Sequence, residues 1–249
     1  MLKQEREQEI LSILQTSGYA TVNDLSSRLY TSASSIRRAL AELEANGLIR
    51  RSYGGAELLS RYTTVAAFGA RTHQNTEAKQ AIARKAAPLV KDGSIVFMDG
   101  SSTCFYLAAQ LLNKAALTVV SNNMEILTLL SRSGFTVYSS GGKLSESNRI
   151  CLVGPDAQRS FSGIYAQYAF FSSNALSADG IITDCTREEV AVRDSMLQNA
   201  RKKIFLCDSS KFGNISSYRQ CSLTQVDMLI SENDLAQDFS NRFPHLEIL

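Results

Sequence analysis

The chain has 249 residues, of which 44% are apolar, and its formal net charge is +2. This length and apolar content suffice for two domains with buried cores, whereas so small a net charge identifies no partner by itself. The sequence contains no run of 18 apolar residues and starts with the charged stretch MLKQEREQEI, so it predicts neither a membrane span nor a signal peptide.

Cysteine usage predicts a cytoplasmic protein. The five cysteines are scattered singly, without a CxxC pair, and only two histidines accompany them. An odd, widely spaced set is typical of reduced thiols that are buried as small apolar groups. We therefore expect no metal site and no cofactor. The cysteines are Cys104, Cys151, Cys185, Cys207 and Cys221.

The first 31 residues predict two helices and a break. One helix is expected from Lys3 to Gln15, with Gly18 as its stop. The segment Thr21–Asp24 resembles a capping box, with Asp in place of Glu, and opens a second helix from Val22 to Arg28 or Leu29. The break falls at Tyr30-Thr31.

The next segment predicts a basic helix. Ser32 is placed as the N-cap, the helix runs from about Ala33 to Asn46, and Gly47 provides the stop. At 100° per residue, Ile36, Leu40 and Leu43 form one apolar stripe. The opposite face carries Ser34, Arg37, Arg38 and Ala41.

A short strand at residues 48–53 and a turn at Gly54-Gly55 predict a β-wing behind this helix. Two short helices joined by a tight turn and followed by a wing indicate a winged helix-turn-helix that binds duplex DNA. From Arg28 to Arg51 five arginines oppose two glutamates, a local charge of +3, whereas the first 27 residues carry −2. The expected DNA contacts are Ser32, Ser34, Ser35, Arg37, Arg38, Arg50, Arg51, Tyr53 and Gly54.

Two other interpretations of this module stay open. An arginine pair is also typical of the solvated face of an ordinary surface helix. A winged helix can also bind protein instead of DNA. Residues 1–57 are assigned to this module, and residues 58–75, which lack a clean period, to a linker with an extended segment at Thr63–Phe68.

Beyond the linker, residues 76–249 alternate between strand-like and helical patterns. This alternation predicts an α/β domain with a largely parallel sheet. The expected helices are Glu77–Val90, Cys104–Leu112, Glu125–Ser131 and Glu188–Ala200. The expected strands are Ser94–Met98, Leu117–Val120, Phe135–Tyr138, Tyr168–Ser172, Ile204–Cys207 and Met228–Ile230.

Small polar residues follow three of these strands, in the loops 99–103, 121–123 and 141–143. The carboxyl ends of parallel strands line the ligand crevice, and N–H groups at helix N-termini favour anions. Any one loop is also typical of ordinary turn and cap chemistry. Together the three predict a polar, phosphorylated small ligand.

The block TSASSIRRALAELEANGLIRRSYGGA resembles the DNA-binding signature of the DeoR family of bacterial transcription regulators. One departure is Ala39, where that family usually has Asp. The family's sensor-domain motifs also follow in order, so that the resemblance covers nearly the whole chain. They are Glu77-Ala78-Lys79, Ile82-Ala83, Asp99–Thr103, Ser121–Asn123, Gly141-Gly142, Val153-Gly154 and Asp208–Gly213.

The resemblance implies a sensor domain similar in fold to ribose-5-phosphate isomerase that responds to a phosphorylated sugar. Asp179-Gly180 is assigned to the rim of the site, and Phe171–Asn174 replaces a usual glycine-rich stretch. The effector contacts implied are Asp99, Ser101, Ser102, Thr103, Ser121, Asn122, Asn123, Gly141, Gly142 and Lys211.

The leading hypothesis is a DNA-binding regulator, a repressor of a carbohydrate-metabolism operon whose operator affinity a sugar phosphate modulates. A homo-oligomer, dimer or tetramer, is expected because one such module covers little DNA. Two alternatives stay open. One is a sugar-phosphate isomerase-like enzyme with Asp99, Glu188 and Lys211 as acid–base groups. The other is a regulator that has lost its ligand response.

Overall fold

The computed structural model describes residues 3–17, 19–46, 48–52, 54–58, 68–233 and 237–249. The chain divides into two compact units, Met1–Arg71 and Thr72–Leu249. The linker boundaries at residues 58 and 75 stay a prediction. The extended segment predicted at 63–68 falls outside the described residues, except for Phe68, which begins a short helix. The predicted stops at Gly18 and Gly47 and the predicted contact Tyr53 also lie outside them.

Helices and short strands alternate in the first unit. Its described elements are α1 (Lys3–Ser17), β1 (Tyr19–Thr21), α2 (Val22–Arg28), α3 (Ala33–Ala45), β2 (Ile49–Ser52) and β3 (Gly55–Leu58).

The predicted helix starts are confirmed by their caps. Thr21 Oγ1 accepts from the Asp24 N–H at 3.1 Å, and the Asp24 carboxylate accepts from the Thr21 N–H at 3.2 Å, which completes a capping box on α2. Ser32 Oγ accepts from the Ser35 N–H at 3.4 Å at the start of α3. The apolar stripe of α3 is buried, with Ala39 beside it. These residues pack on Ile10, Leu14, Leu25 and Ile49.

The wing is a three-stranded antiparallel sheet in the order β1-β3-β2. The strand β1 was not predicted, because three residues are too few to show an alternating pattern. Its pairing explains the second wing glycine. A Cβ on Gly55 would lie 2.4 Å from the Ala20 carbonyl oxygen, so only glycine lets β3 approach β1. Gly54 has φ +82° and forms the turn.

The second unit is an α/β domain. Its helices are α4 (Phe68–His73), which crosses the boundary of the two units, and α5 (Thr76–Ala86), α6 (Ser102–Gln110), α7 (Met124–Leu130), α8 (Pro155–Ser162), α9 (Arg187–Gln198) and α10 (Gln237–Ser240). Its strands are β4 (Ile95–Met98), β5 (Thr118–Ser121), β6 (Thr136–Ser139), β7 (Lys143–Leu144), β8 (Leu152–Val153), β9 (Ala166–Phe171), β10 (Ala175–Leu176), β11 (Ile181–Asp184), β12 (Ala200–Leu206), β13 (Tyr218–Ser222), β14 (Met228–Ile230) and β15 (Glu247–Ile248).

Seven parallel strands form the main sheet, in the order β15-β14-β12-β9-β4-β5-β6. From β4 the chain proceeds outward to β5 and β6, and then returns to β9 on the other side of β4. The strand order therefore reverses between β4 and β9. In open α/β sheets, ligands bind at the carboxyl ends of the strands beside such a switch point.

Two apolar layers cover the sheet. One contains Phe97, Phe161, Phe171 and Phe205, and the other contains residues of α5, α6 and α7. An antiparallel sheet, β10-β11-β13, and a hairpin, β7-β8, complete the unit. No helix of the described residues is long and apolar enough to cross a membrane.

The parallel α/β domain is confirmed, with some boundaries corrected. The helix predicted to reach Val90 ends at Ala86 and continues as a 3-10 turn, because Pro88 has no N–H to donate. The strand predicted from Ile204 begins at Ala200, since the charged residues 201–203 conceal its amino-terminal half.

Gly55→Ala tests the close approach in the wing. We expect it to destabilise the first unit by about 1–3 kcal/mol, the range typical of overpacking, because the new methyl group meets a backbone oxygen. Thermal unfolding followed by circular dichroism would measure the loss. Ser52→Ala, at an exposed position on the same hairpin, is the control and should change stability by less than about 0.5 kcal/mol. Equal melting curves for the two variants would contradict the prediction.

Candidate functional sites

The outward face of α3 is polar and positively charged, as the sequence predicted. Arg37 and Arg38 are exposed, as are Ser34 and Ala41. Arg38 Nη2 lies 3.4 Å from Ser35 Oγ, while Arg37 has no hydrogen bond or ion pair within the described part of the chain. Since the other face of α3 is packed in the core, both guanidinium groups project into solvent from a fixed helix.

Unlike the arginines of α3, the two arginines of the wing each lie close to a glutamate. Arg50 lies 3.8 Å from Glu57, its cross-strand partner, and Arg51 lies 3.8 Å from Glu44 at the end of α3. These exposed pairs contribute little stability, yet each places a carboxylate beside a cation. Among the described residues, the exposed cations without a carboxylate within 4 Å therefore include Arg37 and Arg38 on α3, and the pairing of Arg50 with Glu57 could not be foreseen from the sequence.

In the second unit, the three polar loops lie at the carboxyl edge of the main sheet. They follow the neighbouring strands β4, β5 and β6. Two further segments join them at this edge, residues 172–174 after β9 and residues 207–211 after β12. The predicted effector residues are thus brought to one edge, with the switch point between them.

Asp99 joins the two strands at the switch point. Its side chain follows β4 and is 2% exposed. Oδ1 accepts from the Ser101 N–H at 3.1 Å, and Oδ2 accepts from the Ser172 N–H at 3.1 Å and from Arg193 Nε at 3.0 Å. Because Ser172 follows β9, a single carboxylate holds both strand ends and the start of the β4 loop.

Arg193, on α9, is the counterion of Asp99 and is 3% exposed. Its Nη1 lies 2.9 Å from Asp184 Oδ2 and 2.8 Å from Gln220 Oε1, on the antiparallel sheet. Burial alone would lower the pKa of Arg193, but Asp184, Asp99 and Glu189 raise the pKa above its ordinary value. The guanidinium therefore stays charged and links the antiparallel sheet to the loop of the main sheet.

Part of the polar chemistry at this edge serves the helix caps. Ser101 Oγ accepts from the Cys104 N–H at 3.1 Å and opens α6. Asn123 Oδ1 accepts from the Glu125 and Ile126 N–H groups at 2.8 and 3.2 Å. For these two oxygens, ordinary capping accounts for the residue type.

Other polar atoms at the edge have no such explanation. Thr103 Oγ1, Asn122 Oδ1 and Asn123 Nδ2 are buried and have no hydrogen-bond partner among the residues that the structure describes. Leaving a buried polar group unsatisfied costs about 1–3 kcal/mol. A polar molecule at this edge would satisfy such groups.

The loop after β6 comes close to the end of β8. Gly141 and Gly142 have φ values of +64° and +97°. A Cβ on Gly142 would lie 2.5 Å from the Val153 carbonyl oxygen, so this close approach needs glycine. Gly141 is exposed, and a Cβ there would meet no atom within 4 Å. Its backbone is accessible from solvent.

Lys211 reaches across the edge from β12 to β9. Its Nζ donates to Ser172 Oγ at 2.7 Å and lies 3.3 Å from Asp208 Oδ2. Ser172 Oγ in turn donates to the Leu206 carbonyl at 2.6 Å. Burial raises the pKa of Asp208, but Lys211, Ser210 and Lys79 lower it by more, so the net pKa lies below its ordinary value.

Sequence reasoning missed two polar residues of this edge. Asn75 Nδ2 donates to Asp208 Oδ1 at 3.1 Å and to Ser210 Oγ at 2.8 Å. Lys79 is 4% exposed and donates to the Gln74 carbonyl at 2.5 Å. A signal for Lys79 existed, since it occupies the apolar stripe of α5 that continues with Ile82, Ala83 and Ala86.

The assignment of Asp179-Gly180 to the rim stays a prediction. The pair lies in the turn between β10 and β11, where a Cβ on Gly180 would lie 2.5 Å from Phe243 Cζ. Phe243 precedes the amino end of β15. The glycine of this turn is therefore explained by this close approach and by its φ of +85°.

Two cavities differ in position and character. One lies behind the Asp99 loop and is too narrow to admit a water molecule, and its lining includes Asn122, Glu189 and Arg193. It is smaller than the roughly 300–1,000 Å³ of typical ligand pockets. The other, of about 480 Å³, opens at the amino edge and is lined partly by Lys91, Arg201 and Lys202.

The cysteines match the prediction of buried, unlinked thiols, except that Cys185 is half-buried. Burial raises the pKa of Cys104 well above its ordinary value and that of Cys221 to about 12, so both stay neutral thiols. The described residues contain no group of His, Cys, Asp and Glu that could hold a metal ion.

Comparisons with known proteins match both units. The profile of the DeoR-like helix-turn-helix domain matches residues 6–62, and that of the DeoR C terminal sensor domain matches residues 74–233. The chain is 31% identical over 238 residues to the HTH-type transcriptional regulator GlpR of Haloferax volcanii, covering 96% of this chain and 93% of the relative.

Two further relatives are named repressors. The HTH-type transcriptional repressor GlcR of Bacillus subtilis is 32% identical, covering 93% of this chain and 89% of its own length. The Glycerol-3-phosphate regulon repressor of Escherichia coli is 28% identical, covering 93% and 92%.

A solved structure shares the fold at lower identity. The tetrameric eIF2B-beta2-delta2 complex from C. thermophilum matches with a TM-score of 0.50 and 16% identity, covering 65% of this chain and 57% of that chain. Ribose 5-phosphate isomerase A from Methanocaldococcus jannaschii matches with a TM-score of 0.42 and 16% identity, covering 56% and 55%.

Arg193→Met tests the role of the buried guanidinium. We expect it to destabilise the second unit by about 3–5 kcal/mol, since Asp99 and Asp184 would remain buried without their counterion. Urea unfolding would measure the loss. Arg219→Met replaces an exposed arginine on β13 and should cost less than about 0.5 kcal/mol. Asp99→Asn should destabilise the Arg193→Met protein less than the wild type; equal effects in both backgrounds would argue against the pair.

Proposed function

Since the chain belongs to the DeoR family of DNA-binding transcription regulators, we propose that it represses a carbohydrate-metabolism operon and that a phosphorylated sugar changes its operator affinity. The observation that carries the DNA-binding part is the exposed face of α3, where Arg37 and Arg38 project from a helix whose other side is fixed in the core. Recognition helices of this type lie in the major groove.

The proposed contacts divide into two kinds. Arg37 and Arg38 reach base edges and phosphates, with Ser32, Ser34 and Ser35 at the amino end of α3 beside them. Arg50, Arg51, Tyr53 and Gly54 contact the phosphate backbone from the wing. The pairing of Arg50 and Arg51 with glutamates supports a smaller contribution from the wing, because each phosphate contact there competes with a carboxylate.

The proposed effector site is the carboxyl edge of the main sheet. The unsatisfied Thr103, Asn122 and Asn123 atoms suit sugar hydroxyls that reach them when the covering loops part, and Lys211 supplies a cation for a phosphate. Because the cavity behind the loop is too small for a sugar phosphate, the effector lies on the outer side of the edge, near exposed Gly141 and Gly142. The remaining predicted contacts are Ser101, Ser102 and Ser121, while Asp99, predicted as a contact, holds the loop that carries Ser101. One relative's name, Glycerol-3-phosphate regulon repressor, supports a phosphorylated effector.

Asp99 acts in this proposal as a positioning residue. Its carboxylate already accepts three hydrogen bonds and pairs with Arg193. The isomerase alternative is correspondingly weaker, since a general base needs a carboxylate within reach of its substrate. Glu188, another acid–base candidate, is exposed and pairs with Lys143 at 2.9 Å.

A homo-oligomer is part of the proposal. Paired modules would bind two half-sites, and a sugar phosphate that prefers one arrangement of them would shift the population. A typical coupling free energy for such a shift is about 1–3 kcal/mol.

Arg37→Ala and Arg38→Ala test the recognition helix. Each should weaken operator binding by about 1–3 kcal/mol where the arginine contacts a base, and should reduce the slope of log K against log salt by about 1 where it contacts a phosphate. Fluorescence anisotropy on a duplex that the wild-type protein selects from a random pool would measure both. Arg132→Ala removes an exposed arginine of the second unit as a control. Wild-type affinity and slope in both single variants would overturn the assignment.

A thermal-shift screen against pentose and hexose phosphates tests the effector site. A sugar phosphate at about 100 times its Kd should stabilise the protein by about 2.7 kcal/mol. Lys211→Met should abolish the shift, whereas Lys91→Met, before the amino end of β4, should preserve it. No shift with any sugar phosphate would favour a regulator without a ligand response, and turnover would favour the isomerase.

A further inference from the structure

Tyr30, in the turn between α2 and α3, has an unusual backbone conformation. Its φ is +48°, in the left-handed region that bulky side chains rarely adopt. Glycine or asparagine would fit this region with less strain. The sequence therefore places a strained residue at the centre of the helix-turn-helix.

The Tyr30 side chain makes no stabilising contact with the residues that the structure describes. Tyr30 is 97% exposed, the highest value among the large exposed hydrophobic residues. Its hydroxyl has no hydrogen-bond partner in the part of the chain that the structure describes. Within the described ranges, neither packing nor hydrogen bonding explains why a tyrosine occupies this position. Strain of this kind points from an observed outlier to a functional role.

The turn that carries Tyr30 is held firmly. The Thr31 N–H donates to the Ser26 carbonyl at 3.1 Å, and Thr31 Oγ1 donates to the Leu29 carbonyl at 2.9 Å. Ser26 Oγ donates to the Thr31 carbonyl from the other side. The backbone on which the ring stands is thus fixed before any partner binds, which lowers the entropic cost of a contact.

The position of the turn relates it to duplex DNA. Tyr30 stands two residues before Ser32, the N-cap of α3. In helix-turn-helix proteins the amino end of the recognition helix enters the major groove, so the turn that precedes it lies beside the strands that border the groove. Tyrosine hydroxyls are among the groups that contact phosphate oxygens there.

We propose that Tyr30 is a DNA contact whose hydroxyl donates a hydrogen bond to a backbone phosphate beside the recognition helix. This inference rests on the DNA-binding function. The contact is neutral, so it adds affinity for duplexes of any sequence and releases no counterion. It thereby differs in kind from the contacts of Arg37 and Arg38.

Two variants separate the DNA contact from the strain. Tyr30→Gly removes the ring and relieves the strained φ, so it should raise the melting temperature while weakening duplex binding at least threefold. Tyr30→Phe keeps the ring and the strain and loses only the hydroxyl. It should leave the melting temperature unchanged and weaken binding at least twofold. Both should retain the wild-type salt slope, whereas Arg37→Ala or Arg38→Ala lowers it.

The measurement is fluorescence anisotropy of the full chain on a random-sequence duplex at several salt concentrations, paired with thermal melts. A more stable Tyr30→Gly protein that binds duplex as tightly as the wild type would overturn the proposal for Tyr30 alone, provided that the arginine variants weaken binding. A wild-type chain that binds no duplex would overturn this proposal and the DNA-binding function together. If the Tyr30 variants bound duplex more weakly and also changed the slope of log K against log salt, that result would count against a neutral contact.

Discussion

The ion pair between Arg193 and Asp99 is the interaction on which the second unit depends most. A guanidinium that is 3% exposed is stable only where its charge and its donors are satisfied. Asp99, Asp184 and Gln220 meet that need, and they come from the main sheet and from the antiparallel sheet. Because the partners lie on separate elements, one side chain fixes both elements relative to each other.

The location of this pair gives it a role beyond stability. At a switch point, the connections that leave two neighbouring parallel strands go to opposite faces of the sheet, which opens a crevice outside the carboxyl ends of the strands. Asp99 spans that crevice at its base by accepting hydrogen bonds from the loops after β4 and β9. The polar groups above it are consequently held in place before a ligand arrives, so less binding free energy goes into ordering them.

Sequence patterns predicted the regular elements well where the pattern was long and local. The α3 stripe of Ile36, Leu40 and Leu43, the Ser32 cap and the three strands β4, β5 and β6 needed only periodicity and turn chemistry. The sequence did not predict several of the short elements. The strands β1, β7, β8 and β10 have two or three residues each, too few to show a period, and the charged start of β12 looked like a loop.

In the candidate sites too, local sequence patterns predicted some features, whereas long-range contacts could not be predicted. Which loops meet at the carboxyl edge followed from parallel strand order, and Arg37 and Arg38 followed from helical spacing. Long-range partners could not follow, because the 94-residue separation of Asp99 and Arg193 leaves no local trace. Hairpin register likewise decides that Arg50 faces Glu57. The spacing of residues along the chain therefore predicts which side chains lie on an exposed face. Only the tertiary contacts show which of those charged side chains are paired with an opposite charge.

In both units, some charged side chains that the sequence predicts to be available are already paired with an opposite charge. On the first unit, five arginines suggest a broad basic surface, but two of them are balanced by carboxylates 3.8 Å away. The field that would attract a phosphate backbone is therefore narrow and centred on α3. On the second unit, Asp99 is predicted from the sequence as an effector contact, and in the structure its carboxylate anchors the ends of β4 and β9. Lys211 lies half-buried at this edge, where its ammonium group pairs with the Asp208 carboxylate and donates a hydrogen bond to the Ser172 hydroxyl. An ammonium group in that environment can exchange its hydroxyl partner for an anionic oxygen without leaving Asp208 unpaired, and this exchange is what the proposed phosphate contact would use.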